Sequence, residues 1–275
     1  VNEEAQQLLN LAREIARIGA AELLSGRPDP ARKTLVQSDT KTSPTDVVTE
    51  RDLASEKAIM QAIQSHRPDD GIVGEEGTSI QGSSGYKWVI DPLDGTINYL
   101  YGSPQWAVSI GIEDAAGEFI GVVYAPLVGH EYFAVRGAGA FRVDANGEVR
   151  LPQIVDDVPL SHSLFATGFG YKASRRVNQA RVIAEVLPKI RDIRRKGSAA
   201  IDICMAATGM VNGYFERGAN PWDYAAAAVV ARECGLQVSG LKGEAAGPAM
   251  VVAAPPKLHK EMTELLESLK ADQGD

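Results

Sequence analysis

The spacing of apolar and polar positions divides the chain into stretches of different period. Near the start, Leu8, Leu11, Ile15 and Ile18 recur three or four residues apart, which predicts an amphipathic helix over 3–24. Gly26, Pro28 and Pro30 stop it, and a polar stretch follows to Thr45, with Lys41-Thr42-Ser43-Pro44 as loop. Leu53, Met60 and Ile63 mark the apolar face of a second helix over about 47–65. From Gly71 the period shortens to that of strands. Trp88-Val89-Ile90 is an apolar run that Asp91-Pro92 is expected to end. Trp106, Val108, Ile110 and Ile112 alternate with smaller or polar neighbours, as a half-buried strand does. Turns at 115–118 and 128–129 join it to strands over 119–125 and 131–135, so an antiparallel meander is expected, and 144–147 closes a further hairpin.

Beyond residue 155 strands and helices take turns. Strand-like segments at 164–167, 190–194, 211–215 and 251–254 alternate with helical ones at 177–187, 198–208, 222–234 and 257–269. Gly235 suits a helix C-cap, and Pro255-Pro256 suits a helix start. The expected organisation is an antiparallel α+β half over 1–152 and an α/β half over 153–275.

Composition adds limits. A chain of 275 residues, 44% apolar and 23% charged, is globular and long enough to fold without disulfides or structural metal. Its net charge of −8 and lack of a basic cluster argue against direct nucleic-acid contact. Cys204 and Cys234 show no Cys-x-x-Cys spacing and read as buried free thiols, which suits a reducing cytoplasm. The polar first seven residues are unlike a signal peptide, and no apolar run approaches the ~20 residues of a membrane span. A cytoplasmic protein without membrane contact is therefore expected.

The most informative segment is Trp88-Val89-Ile90-Asp91-Pro92-Leu93-Asp94-Gly95-Thr96-Ile97-Asn98. A strand delivers Asp91, Pro92 forces a turn, and Asp94 follows three residues later. Two carboxylates on one tight turn repel unless a cation lies between them, and hard cations such as Mg²⁺ take such oxygen ligands. Gly95 and Thr96 then open a helical turn whose N–H groups suit a phosphate. A capped strand–turn–helix without chemistry explains this segment equally well on its own.

The remaining motifs change that balance. Asp91-Pro92-Leu93-Asp94-Gly95-Thr96 resembles the first signature of the inositol monophosphatase family, the lithium-sensitive, metal-dependent phosphatases. Asn220-Pro221-Trp222-Asp223-Tyr224-Ala225-Ala226 resembles the second, Gly74-Glu75-Glu76 the family's acidic loop, and the stretch from Lys41 to Asp52 its N-terminal catalytic stretch. All four occur in the family's order.

The resemblance implies a layered α/β/α/β/α sandwich, a homodimer, and hydrolysis of a small phosphorylated polyol by metal-activated water. Two or three Mg²⁺ ions are implied, with Mn²⁺ as the alternative. Glu75, Asp91 and the Leu93 carbonyl would hold one ion, and Asp91, Asp94 and Asp223 a second. Thr96 and Asp52 would activate the water, with Glu75 counted among the catalytic groups. Gly95 and Thr96 would face phosphate, while Asp94, Gly197, Ser198, Ala199 and Glu216 would face the rest of the substrate, with Lys41 as an auxiliary cation. Taken singly these residues look ordinary: Asp52 an exposed helical acid, Glu75 a solvated loop acid, Asp223 a helix cap, Glu216 a strand-end acid. None of His66, His130, His162 and His259 looks placed for catalysis. Pro221 and the loop 78–85 lie where relatives of different specificity vary. Phosphatases of the same superfamily for histidinol phosphate, fructose 1,6-bisphosphate or 3′-phosphoadenosine phosphate remain alternatives. So does a phosphatase-fold protein that binds transcription or RNA-processing machinery.

Overall fold

The computed structural model describes residues 1–27, 38–40, 47–155 and 158–274. Helix α1 (Glu3–Ser25) buries Leu8, Ala12, Ile15 and Leu23, and Asn2 caps it by accepting the Ala5 N–H. A short hairpin follows, β1 (Ser38–Thr40) against β2 (Val47–Thr49). Helix α2 thus spans Glu50–His66 rather than starting at 47. The reason is local: Val47-Val48-Thr49 is β-branched throughout, and Thr49 caps the helix by accepting the N–H groups of Arg51 and Asp52.

Strands β3 (Gly71–Gly74), β4 (Ser79–Ile80), β5 (Lys87–Asp94), β6 (Ala107–Asp114), β7 (Gly117–Ala125), β8 (His130–Val135), β9 (Gly139–Asp144) and β10 (Gly147–Arg150) form one eight-stranded sheet. Its order is β10-β9-β8-β7-β6-β5-β3-β4. The expected meander is present, but β3 and β5 pair in parallel, so the sheet is not wholly antiparallel. Helix α3 (Thr96–Leu100) leaves the end of β5.

The second sheet contains β11 (Leu164–Thr167), β12 (Asp192–Arg194), β13 (Gly213–Glu216), β14 (Gln237–Ser239) and β15 (Val251–Ala254), in the order β12-β11-β13-β15-β14. Its first three strands are parallel and its last two antiparallel, so this half is mixed rather than purely α/β. The accompanying helices are α4 (Ala173–Val186), α5 (Ala199–Ala207), α6 (Pro221–Glu233) and α7 (Pro256–Ser268).

Strand periodicity sorts the core into three layers of packing. Trp88, Ile90, Val108, Ile110, Ile120 and Val122 face α1 and α2. Ala107, Val123 and Ala125 face the other way, onto α5 and α6, whose far side meets Ala166, Tyr214 and Ala253 of the second sheet. Phe165, Phe215, Val252 and Ala254 face outward onto α4 and α7. The result is the α/β/α/β/α sandwich, in which both halves contribute to the middle core. Helix α6 sits unusually close to the first sheet because both surfaces are stripped down: a Cβ on Gly121 would lie 2.0 Å from the Ala226 carbonyl oxygen. No described helix is long and apolar enough to cross a membrane.

Candidate active site

The site starts from an irregularity in β5. Asp91 pairs with Ser109 and Asp94 with Ala107, so two residues intervene on β5 against one on β6. Pro92, which has no N–H to give the ladder, sits in this bulge. The strand therefore continues through Asp94 instead of ending at Asp91-Pro92, and the bulge aims both carboxylates out of the sheet end. The Leu93 N–H donates to Asp91 Oδ1 at 2.9 Å and fixes that carboxylate over the turn. Gly95 then takes φ +101°, and a Cβ there would lie 2.9 Å from the Gln105 carbonyl oxygen and 3.2 Å from that of Gly197. Only glycine fits such a turn.

Thr96 is the first residue of α3. Its hydroxyl lies 3.2 Å from Asp52 Oδ1 and 3.2 Å from the Leu93 carbonyl oxygen. Asp52 is buried, not an exposed helical acid, and its other oxygen accepts the Thr49 N–H at 2.9 Å and the Thr49 hydroxyl. The same carboxylate thus closes the capping box of α2 and meets Thr96.

Glu75 follows β3, its N–H donating to the Ile90 carbonyl at 3.1 Å. Its loop is held by Glu56, which accepts the N–H groups of Glu76 and Thr78 at 2.8 and 3.1 Å and the Thr78 hydroxyl at 2.6 Å. Asp223 stands in the first turn of α6, where one oxygen accepts the Asn220 N–H at 2.6 Å. Glu75, Asp91 and Asp223 each bring a carboxylate oxygen within 4.8 Å of the others. Burial pushes the Asp91 and Asp223 carboxyls well up, and the negative charges of Glu75 and Asp94 push further the same way. An all-oxygen group of mutually repelling carboxylates fits a hard divalent cation, which would let all three ionise.

Asp94 lines the same cavity but outside that group of three. Its oxygens accept the Ser198 hydroxyl at 2.5 Å and the Ala199 and Ala200 N–H groups at 3.1 and 2.8 Å, which caps α5. Burial still raises its carboxyl to about 7, against the pull of those donors. Glu216, at the end of β13, accepts the Tyr214 hydroxyl at 2.8 Å. Burial raises it, while Tyr214 and the Arg195 charge oppose that rise. Gly168 makes room for it: a Cβ there would lie 2.0 Å from Glu216 Oε2.

These residues share one cavity of about 430 Å³, whose walls include Glu75, Asp91, Leu93, Asp94, Gly95, Thr96, Gly197, Ser198, Ala199, Glu216 and Asp223. Lys172, Arg175 and Arg195 add positive charge to its rim. Asp52 stands behind Thr96, and among the described residues no histidine lines the cavity. Lys41 lies outside the described residues. Two organising side chains escaped the sequence reading. One is Glu56. The other is Asn98, whose amide donates to the Gln105 and Lys196 carbonyls at 2.6 and 2.8 Å, tying α3 to the loop before α5.

Known proteins resemble this chain in sequence and in fold. The chain is 40% identical over 234 residues to an inositol-1-monophosphatase of Mycobacterium bovis, covering 82% of this chain and 80% of that one. It is 36% identical over 272 residues to the Nus factor SuhB of Pasteurella multocida, covering 97% and 98%. The solved structure of Mycobacterium tuberculosis SuhB superposes with a TM-score of 0.80 at 35% identity, covering 99% of this chain and all of that one. The sequence profile of the inositol monophosphatase family matches residues 4–271, and the chain belongs to that family.

Proposed function

We propose that the protein hydrolyses the phosphate monoester of a small polyol, inositol monophosphate first among them, in the presence of Mg²⁺. The observation that carries this reading is the convergence of Glu75, Asp91 and Asp223 in a cavity that also holds Thr96 and Glu216.

In this reading Glu75, Asp91, Asp223 and the Leu93 carbonyl hold the cation, with Asp94 as a further ligand beside them. A divalent cation supplies charge neutralisation for the phosphoryl oxygens and the leaving oxygen, and acidifies water. Thr96 commits its proton to Asp52, so its lone pairs are left to accept the proton of an attacking water. Asp52, held in place by Thr49, keeps Thr96 in that orientation and accepts the Thr96 hydroxyl proton as Thr96 takes one from the water. The N–H groups of Gly95 and Thr96 face the phosphate at the start of α3. Glu216 and the 197–199 segment face the hydroxyl-bearing part of the substrate. Attack is in line and direct, with no phosphoenzyme.

A second reading comes from the P. multocida relative, which is named a Nus factor. This chain would then also associate with transcription machinery, through protein contacts, since its net charge of −8 disfavours direct contact with nucleic acid. The deciding experiment is phosphate release from a panel of phosphomonoesters with Mg²⁺ and after chelation. Inositol monophosphate should lead the panel and every rate should collapse on chelation. Turnover that survives chelation would overturn the metal-dependent reading. A better substrate without hydroxyls would overturn the polyol reading.

A further inference from the structure

We propose that Glu56 is a positioning residue for the cation site: its buried carboxylate shapes the turn that carries Glu75 and so sets how tightly a divalent cation is held. The inference rests on the metal-dependent reading above and extends it to a side chain outside the group of converging carboxylates.

Glu75 lies in the turn between β3 and β4. Its own N–H reaches the Ile90 carbonyl, and the Gly74 N–H reaches the Thr78 carbonyl at 2.8 Å. The N–H groups of Glu76 and Thr78 go instead to Glu56, to Oε2 and Oε1 respectively, and the Thr78 hydroxyl adds a third bond to Oε1. Glu56 is 4% exposed, and a buried carboxylate is unfavourable unless donors surround it. Here all three donors come from the one turn. Gly74 leaves room for the arrangement, since a Cβ there would lie 2.4 Å from Glu56 Oε2. Both oxygens of Glu56 are thus taken, and Glu56 is not one of the three acids whose oxygens converge. It acts on the cation through Glu75.

The place of Glu56 on α2 strengthens the case. Ser55 and Glu56 follow Asp52 by three and four residues, so the three side chains share one buried helix face. Asp52 meets Thr96 at the start of α3. The Ser55 hydroxyl lies 3.2 Å from the Pro92 carbonyl oxygen, in the bulge between Asp91 and Asp94. Glu56 holds the turn of Glu75. One rigid face therefore spaces three segments that build the site. Carboxylates held in place beforehand bind a cation at less cost in lost freedom than carboxylates that must be gathered.

The test titrates Mg²⁺ into metal-free protein by isothermal calorimetry, with each variant checked by thermal melting. Glu56→Gln keeps the size but leaves one acceptor oxygen and sets an NH₂ group against an N–H of the turn. Its apparent Kd for Mg²⁺ should rise about tenfold, the lower end of what loss of a group that orients a metal ligand costs. Thr78→Val, which removes one of the three donors, should raise it about threefold. Glu131→Gln is the control: it breaks the buried pairing with Arg13 and Arg17 and should lower the melting temperature while leaving Kd within about twofold. At saturating Mg²⁺, Glu56→Gln should turn over 4-nitrophenyl phosphate, which lacks hydroxyls outside its phosphate, with kcat within about threefold of wild type, because Asp52 and Thr96 are untouched. An unchanged Kd in Glu56→Gln, or in Thr78→Val should the Gln variant not fold, would overturn the proposal. So would an equal rise in Glu131→Gln, or a kcat that stays low at saturating Mg²⁺. Failure of the underlying reading looks different: wild type itself would then take up no Mg²⁺.

Discussion

The hydroxyl of Thr96 lies 3.2 Å from Oδ1 of Asp52, a contact between residues 44 positions apart that joins the first turn of α3 to the first turn of α2. Asp52 makes this contact with the oxygen left over from capping its own helix, so in the proposed mechanism catalysis and folding would draw on one side chain. Thr96→Val removes the hydroxyl and keeps the shape. It should lower kcat about a hundredfold with KM little changed, because correct positioning of a proton acceptor is worth roughly 10²–10⁴ in rate. Asp52→Asn should cost a similar factor in rate and also lower the melting temperature, since loss of a cap is worth about 0.5–2 kcal/mol. A Thr96→Val enzyme with wild-type kcat would remove this pair from the mechanism.

Asp91 and Asp94 are three residues apart but should respond differently to the same substitution. Asp91 is opposed by Glu75, Asp94 and Asp223, and Asp91→Asn relieves that repulsion. The metal-free variant should melt at or above the metal-free wild type while losing nearly all activity. Asp94 instead accepts three hydrogen bonds from the start of α5, so Asp94→Asn should lower the melting temperature as well as the rate. Differential scanning calorimetry in EDTA separates the two. Equal stability changes would show that the α5 cap contributes nothing.

The repelling carboxylates also set a pH dependence. Asp91, Asp94 and Asp223 all have folded-state pKa values above the ordinary carboxylate value, Asp94 at about 7. Between the unfolded and folded values the native state holds more protons than the unfolded chain, so stability falls as pH rises through that window. The metal-free protein should therefore melt progressively lower from about pH 4 to about pH 7. Saturating Mg²⁺ should restore much of the loss at the upper end, since a ligand at 100 times its Kd stabilises by about 2.7 kcal/mol. A melting temperature that climbs with pH in EDTA would contradict the strained-cluster account.

How these groups sort into legible and hidden follows from the range of the interactions that place them. Strand alternation from Trp106 to Ile112 is a local pattern, and it marked the face of β6 that packs on α1 and α2, but the strand is not half-buried: Ala107, Ser109 and Gly111 on its other face are buried too. The bulge at Pro92 was harder to see, because a proline reads as a strand end unless the pairing with β6 is known. The parallel pairing of β3 with β5 depends on a contact that no local pattern carries. Asp52 and Glu56 fell to the same difficulty. Both are buried, on the helix face that continues to Ile59 and Ile63, and that three- and four-residue spacing was the available signal. Their charge spoke against burial, which is favourable only because Thr49, Thr96, Glu76 and Thr78 supply donors from three other segments.

Membership of the family leads to an expectation about lithium. Millimolar LiCl should slow turnover at saturating Mg²⁺, and KCl at matched ionic strength should not. In the proposed site the relevant position would be the one beside Asp94 and Asp223, since the oxygens of Asp94 already accept hydrogen bonds from the start of α5 and would be weaker ligands for it. Equal responses to the two salts would place the chain outside the lithium-sensitive members.

Glu216 should select the substrate rather than drive the chemistry. It lies at the end of β13, seven residues before Asp223, and lines the cavity without belonging to the group of three carboxylates. Tyr214 donates to one of its oxygens, and Gly168 keeps the space beside it clear, so the carboxylate is fixed before any ligand arrives. A preorganised acceptor of this kind gains a hydrogen bond from a substrate hydroxyl at little cost in side-chain freedom. Such a charge-assisted bond contributes about 1.5–3 kcal/mol. Glu216→Gln should therefore lower kcat/KM for inositol monophosphate about ten- to a hundredfold and leave 4-nitrophenyl phosphate nearly unchanged. The substitution keeps the size and the bond from Tyr214, so the fold should persist, which melting temperature checks. If both substrates fall by the same factor, Glu216 acts on the cation-binding carboxylates or on the fold. Its charge is felt at Asp223, which makes that outcome a physically distinct alternative rather than a failure of measurement.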